Sequence, residues 1–318
     1  MASMASIQMT FTLSKQTHEL SRPRPRPMHR SNTHSILKEK IQQVQKVTHV
    51  YQLKYKNGNI YGFGDFIRGC FYLLQICNKI GIQFEVDVSN HPISNFIEGH
   101  VKNPCIQYDE IYKHENLPHM LFDALKNTTS KNYCLCTNSF PLFNINQGEI
   151  EFIKQRLQPN TAMKTDIEQE MSTLHLSSKQ FSVIHIRSGD EFLLKSGGGE
   201  QSKNWIDLMF SLLTPILQDN TTKYLILSDN NQLKLLFRKY VNCVVQIKPI
   251  THLGIGKMTD ANVKNTMMDF YLMSHSKQIF SISTYGHGTG FSKWCSILNN
   301  IPYKIIQIKQ IVKQFKLL

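Results

Sequence analysis

No stretch of the 318-residue chain holds the ~18 consecutive apolar residues that a membrane-spanning helix needs. The N-terminus shows no apolar signal core either, because Ile7 to Leu13 is broken by Gln8, Thr10 and Thr12. A glycine-rich loop ending in Lys-Ser or Lys-Thr is absent, which argues against an ordinary NTPase. There is no Asp-x-Asp segment to suggest a divalent cation, and no internal repeat of 20–50 residues. The seven cysteines (Cys70, Cys77, Cys105, Cys134, Cys136, Cys243 and Cys295) are odd in number and irregularly spaced. They match neither a zinc site nor a disulfide framework. Cys134-Leu-Cys136 is the one close pair, and strand alternation explains it. A reducing, cytoplasmic setting is therefore expected. Asn127-Thr-Thr and Asn220-Thr-Thr are glycosylation sequons, usable only in a secreted chain and frequent by chance in an Asn- and Thr-rich sequence.

An excess of charge is also lacking where it would matter most. The net charge is +13, yet residues 59–300 carry 22 bases against 21 acids. The basic balance belongs to residues 1–58, with ten Lys/Arg and two acids, and to residues 301–318, with four Lys and no acid. A nucleic-acid-binding body would need a basic face, so no nucleic-acid partner is expected. Residues 1–44, with Arg22-Pro-Arg-Pro-Arg-Pro27, read as a solvated basic leader. The sequence carries no signal of oligomeric state.

What is present is an ordinary globular composition, 41% hydrophobic and 19% charged, with room for two domains of roughly 130–150 residues. Val50-Tyr-Gln-Leu-Lys-Tyr reads as a strand, Asn57 to Asp65 as a glycine-bearing loop, and Phe66 to Ile80 as an amphipathic helix stopped by Gly81. Ile82 to Val88 alternates as a half-exposed strand, which completes a β-loop-α-β unit. Tyr133 to Thr137 reads as a further strand. Glu149 to Leu176 carries two helical stretches parted near Pro159, and the interdomain region is expected there. Beyond it, strands at Phe181–Ile186, Tyr224–Leu227, Val244–Ile247, Ile279–Ile282 and Tyr303–Ile308 alternate with four helices. The helices are Trp205–Leu217, Leu233–Tyr240, Val263–Ser274 and Phe291–Leu298. That alternation implies an α/β chain with a doubly wound parallel sheet. The expected architecture is two Rossmann-like domains facing a cleft, the arrangement called GT-B, over 45–170 and 171–318. A single α/β domain with an N-terminal extension is the other reading.

The stretch Phe181-Ser-Val-Ile-His-Ile-Arg-Ser-Gly-Asp-Glu191 carries the chemistry. A buried β-branched strand stops at His185, Arg187 and Asp190, at the strand end where open α/β sheets bind ligands. Arginine suits a diphosphate there, because its planar fork stays charged and donates in pairs. The next strand ends at Ser228-Asp229, whose carboxylate is an acceptor for a base or ribose. A later one ends in Ser283-Thr284-Tyr285-Gly-His-Gly-Thr289-Gly290, hydroxyl- and glycine-rich and leading into a helix, a setting that binds phosphate. Gly62-Phe-Gly64-Asp65 lies at the corresponding turn of the first unit, where glycines permit close backbone approach. A local ion pair of Arg187 with Asp190 and a merely structural tight turn are the competing readings.

In order and spacing these segments resemble the GDP-fucose-dependent fucosyltransferase superfamily, which includes α1,6-fucosyltransferases, the bacterial nodulation fucosyltransferase and protein O-fucosyltransferases. The segments are Gly62-Phe-Gly-Asp-Phe-Ile-Arg-Gly69, His185-Ile-Arg-Ser-Gly-Asp190, Leu227-Ser-Asp-Asn230, and Asp269-Phe-Tyr-Leu-Met-Ser with Ser283-Thr-Tyr and Thr289-Gly-Phe-Ser-Lys. The resemblance covers residues ~57–308. It implies that Arg187 holds the β-phosphate of GDP-fucose, that His185 and Asp229 help bind guanosine, and that the 283–290 turn contacts the diphosphate. It implies inverting fucosyl transfer to a glycan or polypeptide hydroxyl, with GDP-fucose as donor substrate and no cofactor or metal. The position after the family's arginine is often a second arginine and here is Ser188, which leaves less cationic charge for the donor. Glu191, Glu200 and Asp65 stay open as general base. A transferase using another nucleotide sugar and a non-catalytic nucleotide- or glycan-binding protein are the alternatives.

Overall fold

The computed structural model describes residues 44–53, 61–101, 105–111, 117–189, 201–254, 258–283 and 288–306. The first half opens with β1 (Lys46–Val50), α1 (Phe63–Ile80) and β2 (Gln83–Asp87). It continues through β3 (Ile97–Glu98), β4 (Asp109–Glu110), α2 (Leu117–Asn127) and β5 (Asn132–Cys136). Then come α3 (Gln147–Arg156), β6 (Gln158–Pro159) and α4 (Thr161–Thr173). Four strands make a parallel sheet in the order β2-β1-β5-β4, while β3 and β6 form a small antiparallel pair.

The second half alternates as expected. Its elements are β7 (Phe181–Arg187), α5 (Lys203–Leu217), β8 (Lys223–Ser228), α6 (Asn231–Leu235), β9 (Cys243–Val245) and α7 (Asp260–Ser274), then β10 (Gln278–Ser283), α8 (Gly290–Leu298) and β11 (Tyr303–Ile306). The five strands are all parallel, in the order β11-β10-β7-β8-β9. The strand order reverses between β7 and β10, and such a switch point opens a crevice at the C-terminal edge of the sheet.

Both faces of this sheet are covered, which is why its strands read as near-continuous apolar runs. On one face Ile184, Ile186, Ile226 and Ile282 pack with Met209, Leu213 and Leu217 of α5. On the other, Val183, Leu225 and Ile279 join a cluster that also holds Val47, Phe84 and Leu135 of the first sheet. Helices α1, α7 and α8 contribute Phe71, Phe270 and Trp294 to the same cluster. Thirteen of the 18 residues of α1 are buried, so this helix is enclosed rather than one-sided. It ends at Gly81, whose φ of +74° is the left-handed cap that a residue without Cβ adopts freely.

Three expectations are corrected. The first strand is Lys46–Val50 and ends where the sequence predicts its start. As a central strand between β2 and β5 it is buried on both sides, so it lacks the alternation that marks exposed strands. The helix expected over Leu233–Tyr240 is a short α-helical turn followed by a 3₁₀ turn at Leu236–Lys239. Cys105 and Cys134 form a disulfide across 29 residues, while Cys70, Cys77, Cys136, Cys243 and Cys295 are free. The reducing compartment read from the cysteine pattern therefore does not follow, because disulfides persist where conditions oxidise. Among the described residues no helix is long and apolar enough to cross a membrane.

Candidate functional site

The C-terminal ends of the strands open on a cavity of about 220 Å³. Arg187 and His185 come from β7, Ser228 and Asp229 from the end of β8, and Gly288 to Phe291 from the start of α8. Gly62 to Asp65 come from the start of α1, Thr266 and Asp269 from α7, and Ile250 to Leu253 from the loop after β9. Most residues singled out in the sequence thus meet in one place. Ser283 stands beside Arg187 in the sheet register but does not line the cavity. Asp190, Glu191, Glu200, Thr284 and Tyr285 lie outside the described residues.

Two helix N-termini converge here, and neither N-cap residue caps its helix with a side chain. Gly62 precedes α1 and Thr289 precedes α8, and among the described residues neither N-cap position supplies a side-chain cap hydrogen bond. Asn146, Asn160, Ser202, Asn230 and Thr259 do cap α3, α4, α5, α6 and α7. An uncapped N-terminus leaves backbone N–H groups and the positive end of the helix dipole for an anion. Gly64 brings the two ends together. A Cβ built on it would lie 2.4 Å from the Gly290 carbonyl carbon, so only glycine allows this approach.

Arg187 adds a permanent cation. Its Nη1 lies 3.1 Å from Oδ2 of Asp229. The Asp229 carboxylate also accepts the Ser188 N–H at 2.7 Å and the Gly189 N–H at 3.2 Å. Burial pushes the Asp229 pKa up, while Arg187 and these amides pull it down. Gly189 has a φ of +138°, a backbone state open to glycine, and so the turn after β7 folds back onto Asp229. His185 is buried next to Arg187, and burial and that cation hold its pKa down near 3, so the ring is neutral. Its Nδ1 is buried and has no hydrogen-bond partner among the described residues. A buried polar atom without a partner is rare in a folded chain, and this one belongs to a residue that lines the cavity.

Asp269 was missed as a site residue in its own right. Burial pushes its carboxyl up to about 6, against the pull of Lys234 and Lys248. Its signals in the sequence are an acid inside the apolar run Met267 to Met273 and its place at the head of the segment Asp269-Phe-Tyr-Leu-Met-Ser. The Ile250–Leu253 wall carried no signal at all. Asp65 sits at the cavity and pairs with Arg68 at 3.0 Å, its side chain 39% exposed. Arg68 in turn donates to the Asn138 carbonyl. Among the described residues no three His, Cys, Asp or Glu side chains cluster as metal ligands do.

No family model and no curated protein sequence matches the chain. Solved structures do. The fucosyltransferase NodZ from Bradyrhizobium aligns with a TM-score of 0.53 at 10% identity, over 83% of this chain and 94% of its own. The chain shares the NodZ fold. NodZ α-1,6-fucosyltransferase co-crystallised with GDP aligns at a TM-score of 0.51 and 11% identity, over the same 83% and 94%. A mutant of Arabidopsis thaliana FUT1 in complex with GDP aligns at 0.51 and 10%, over 86% of this chain and 75% of its own. At such identities the likeness speaks for the α/β architecture, and the residues must speak for the chemistry.

Proposed function

We propose that the chain is a glycosyltransferase that moves fucose from GDP-fucose to a glycan or protein hydroxyl, with inversion and without a metal. The observation that carries this reading is the pairing of two uncapped helix N-termini with Arg187 on one cavity. A diphosphate has two anionic groups, and the site has two helix ends and a fixed guanidinium to receive them. In the reaction the acceptor oxygen forms a bond to the anomeric carbon from the face opposite GDP. The bond from that carbon to the β-phosphate oxygen breaks, its electron pair stays on GDP, and the acceptor proton passes to a carboxylate. Groups already aimed at the diphosphate stabilise the charge that grows there, and they need no reorganisation.

The residues divide by chemistry. Asp229 has its oxygens engaged by Arg187 and two backbone amides, so it orients the arginine rather than reading the base or ribose. Asp269 is the carboxylate left in the cavity to accept from a base, and guanine presents adjacent N–H donors that adenine lacks. His185, neutral and lining the cavity, is a further wall for the nucleoside. Asp65, at the cavity and half exposed, is the described carboxylate suited to an acceptor proton. In this reading residues 171–318 hold the nucleoside and Arg187, the start of α1 joins them at the diphosphate, and the rest of residues 45–170 faces the acceptor.

Titration calorimetry with GDP tests the site. The parent should bind, and Arg187→Ala should weaken binding by about 10- to 100-fold, the loss of charge-assisted hydrogen bonds. Equal binding by parent and variant removes the phosphate role. A donor panel tests the sugar nucleotide: equal turnover of UDP- and GDP-linked sugars would exclude the guanine reading. A cytoplasmic location and a formed Cys105–Cys134 bridge predict opposite outcomes when thiols are alkylated in intact cells, because only reduced cysteines react.

A further inference from the structure

The loop after β9 that forms one wall of the cavity is held from two sides. From α7, Oγ1 of Thr266 lies 3.0 Å from the Thr251 nitrogen and 3.0 Å from the Thr251 oxygen. From the first half of the chain, the hydroxyl of Tyr51 and Nε2 of His91 each reach the Leu253 carbonyl oxygen at 2.8 Å. Nδ1 of His91 accepts the Ile93 N–H at 3.2 Å, so Nε2 carries the proton and donates. Burial holds the His91 pKa down near 4, which keeps the ring neutral.

The rings that carry these two donors belong to a packed column. His91 stacks on Tyr51 at 4.2 Å, Tyr51 on Phe66 at 4.5 Å and Phe66 on His49 at 4.5 Å between centroids. All four rings are buried. Two hydrogen bonds on one carbonyl, carried by a packed stack, hold the Leu253 end of a loop whose start is held by Asn231, Asn265 and Glu170.

His252 lies between the two anchors. Its Nδ1 accepts the Gly254 N–H at 3.2 Å, which places the ring proton on Nε2. The ring lines the cavity beside the start of α1, where a Cβ on Gly62 would sit 3.2 Å from Nε2. We infer that His252 is a donor-contacting residue whose Nε2–H meets the phosphate oxygen drawn to the N-terminus of α1, and that Tyr51 and His91 are its positioning residues. The inference rests on the donor site proposed above.

A double-mutant cycle on GDP binding tests it, with Arg187→Ala as reference. His252→Ala should raise Kd about tenfold, as expected for one charge-assisted hydrogen bond. Tyr51→Phe keeps the stacked ring, removes one hold on Leu253 and should raise Kd about three- to fivefold. In the His252→Ala background Tyr51→Phe should add nothing, because Tyr51 acts through His252. Additive losses would overturn the positioning role. If His252→Ala binds as the parent does while Arg187→Ala is weakened, the inference fails and the donor site stands. A parent that binds no GDP removes the donor site, and the inference with it.

Discussion

Gly64→Ala tests whether two helix N-termini share one anion. In the parent, α1 and α8 meet backbone to backbone. The added methyl would lie 2.4 Å from the Gly290 carbonyl carbon, 2.7 Å from its oxygen and 2.7 Å from the Phe291 nitrogen. Carbon atoms settle at about 3.5–4.0 Å, so the helix ends must part by roughly 1 Å. All three opposing atoms are backbone, and no flexible side chain can swing aside. Overpacking of this kind costs about 1–3 kcal/mol. For a chain of this size that is roughly 2–10 °C of melting temperature. Function should suffer more than stability, because a misplacement of ~1 Å can cost about 10²-fold in rate. Gly290→Ala is the control. Its added Cβ meets Gly64 at 3.7 and 3.8 Å, which is ordinary contact. Calorimetry and GDP titration should therefore show Gly64→Ala melting lower and binding at least about tenfold more weakly, with Gly290→Ala melting as the parent does. If the two variants melt together, the close approach does not govern the site.

Three further outcomes follow from charge and covalent structure. The Asp269 carboxyl, pushed up to about 6 in the fold, is a destabilising group whose cost sets in as pH rises from about 4 to about 6. Asp269→Asn should therefore gain stability over the parent at pH 8 but not at pH 4 in urea melts, on the order of 3 kcal/mol, while losing GDP affinity. His49 and His91, held near 4, and His185, held near 3, are buried neutral. The unfolded chain takes up their protons below about pH 6.5, so stability should fall by about 2 kcal/mol per histidine between pH 7 and 5. A flat urea-melt profile over that window would contradict their burial. Reduction of Cys105–Cys134, which closes a 29-residue separation, should cost about 3–4 kcal/mol, read as a lower melting temperature in dithiothreitol.

Much of the fold was legible along the chain, and the reasons are local. The strands β7, β8 and β10 are mostly apolar runs bounded by polar turns, and a sheet covered on both faces makes such runs. Gly81 ends α1 for a reason visible in one residue. The same rule misled at β1, because Lys46–Val50 is buried on both sides yet holds polar Thr48 and His49, which hydrogen bonds satisfy from distant elements. The disulfide was invisible for a related reason: connectivity depends on which loops meet, and spacing alone does not say.

For the site, residue types and their order were enough to pick His185, Arg187, Asp229, Gly62, Gly64, Thr289 and Gly290 as neighbours on one cavity. Parallel strands send their C-terminal ends to one edge, so topology predicts the meeting. What each residue does there was decided in three dimensions. Asp229 reads in sequence as an acceptor for ligand, but in the fold its oxygens are taken by Arg187, Ser188 and Gly189. Asp269 gains its raised pKa only from burial, and His252 gains its tautomer and place from Gly254, Thr266, Tyr51 and His91. The sequence by itself determined the layers and the sheet edge at which the cavity lies, since periodicity and strand direction are local properties. The tertiary structure alone decided which polar groups on that edge are occupied by the protein and which face the cavity, since hydrogen bonds and desolvation depend on partners from residues far away in the chain.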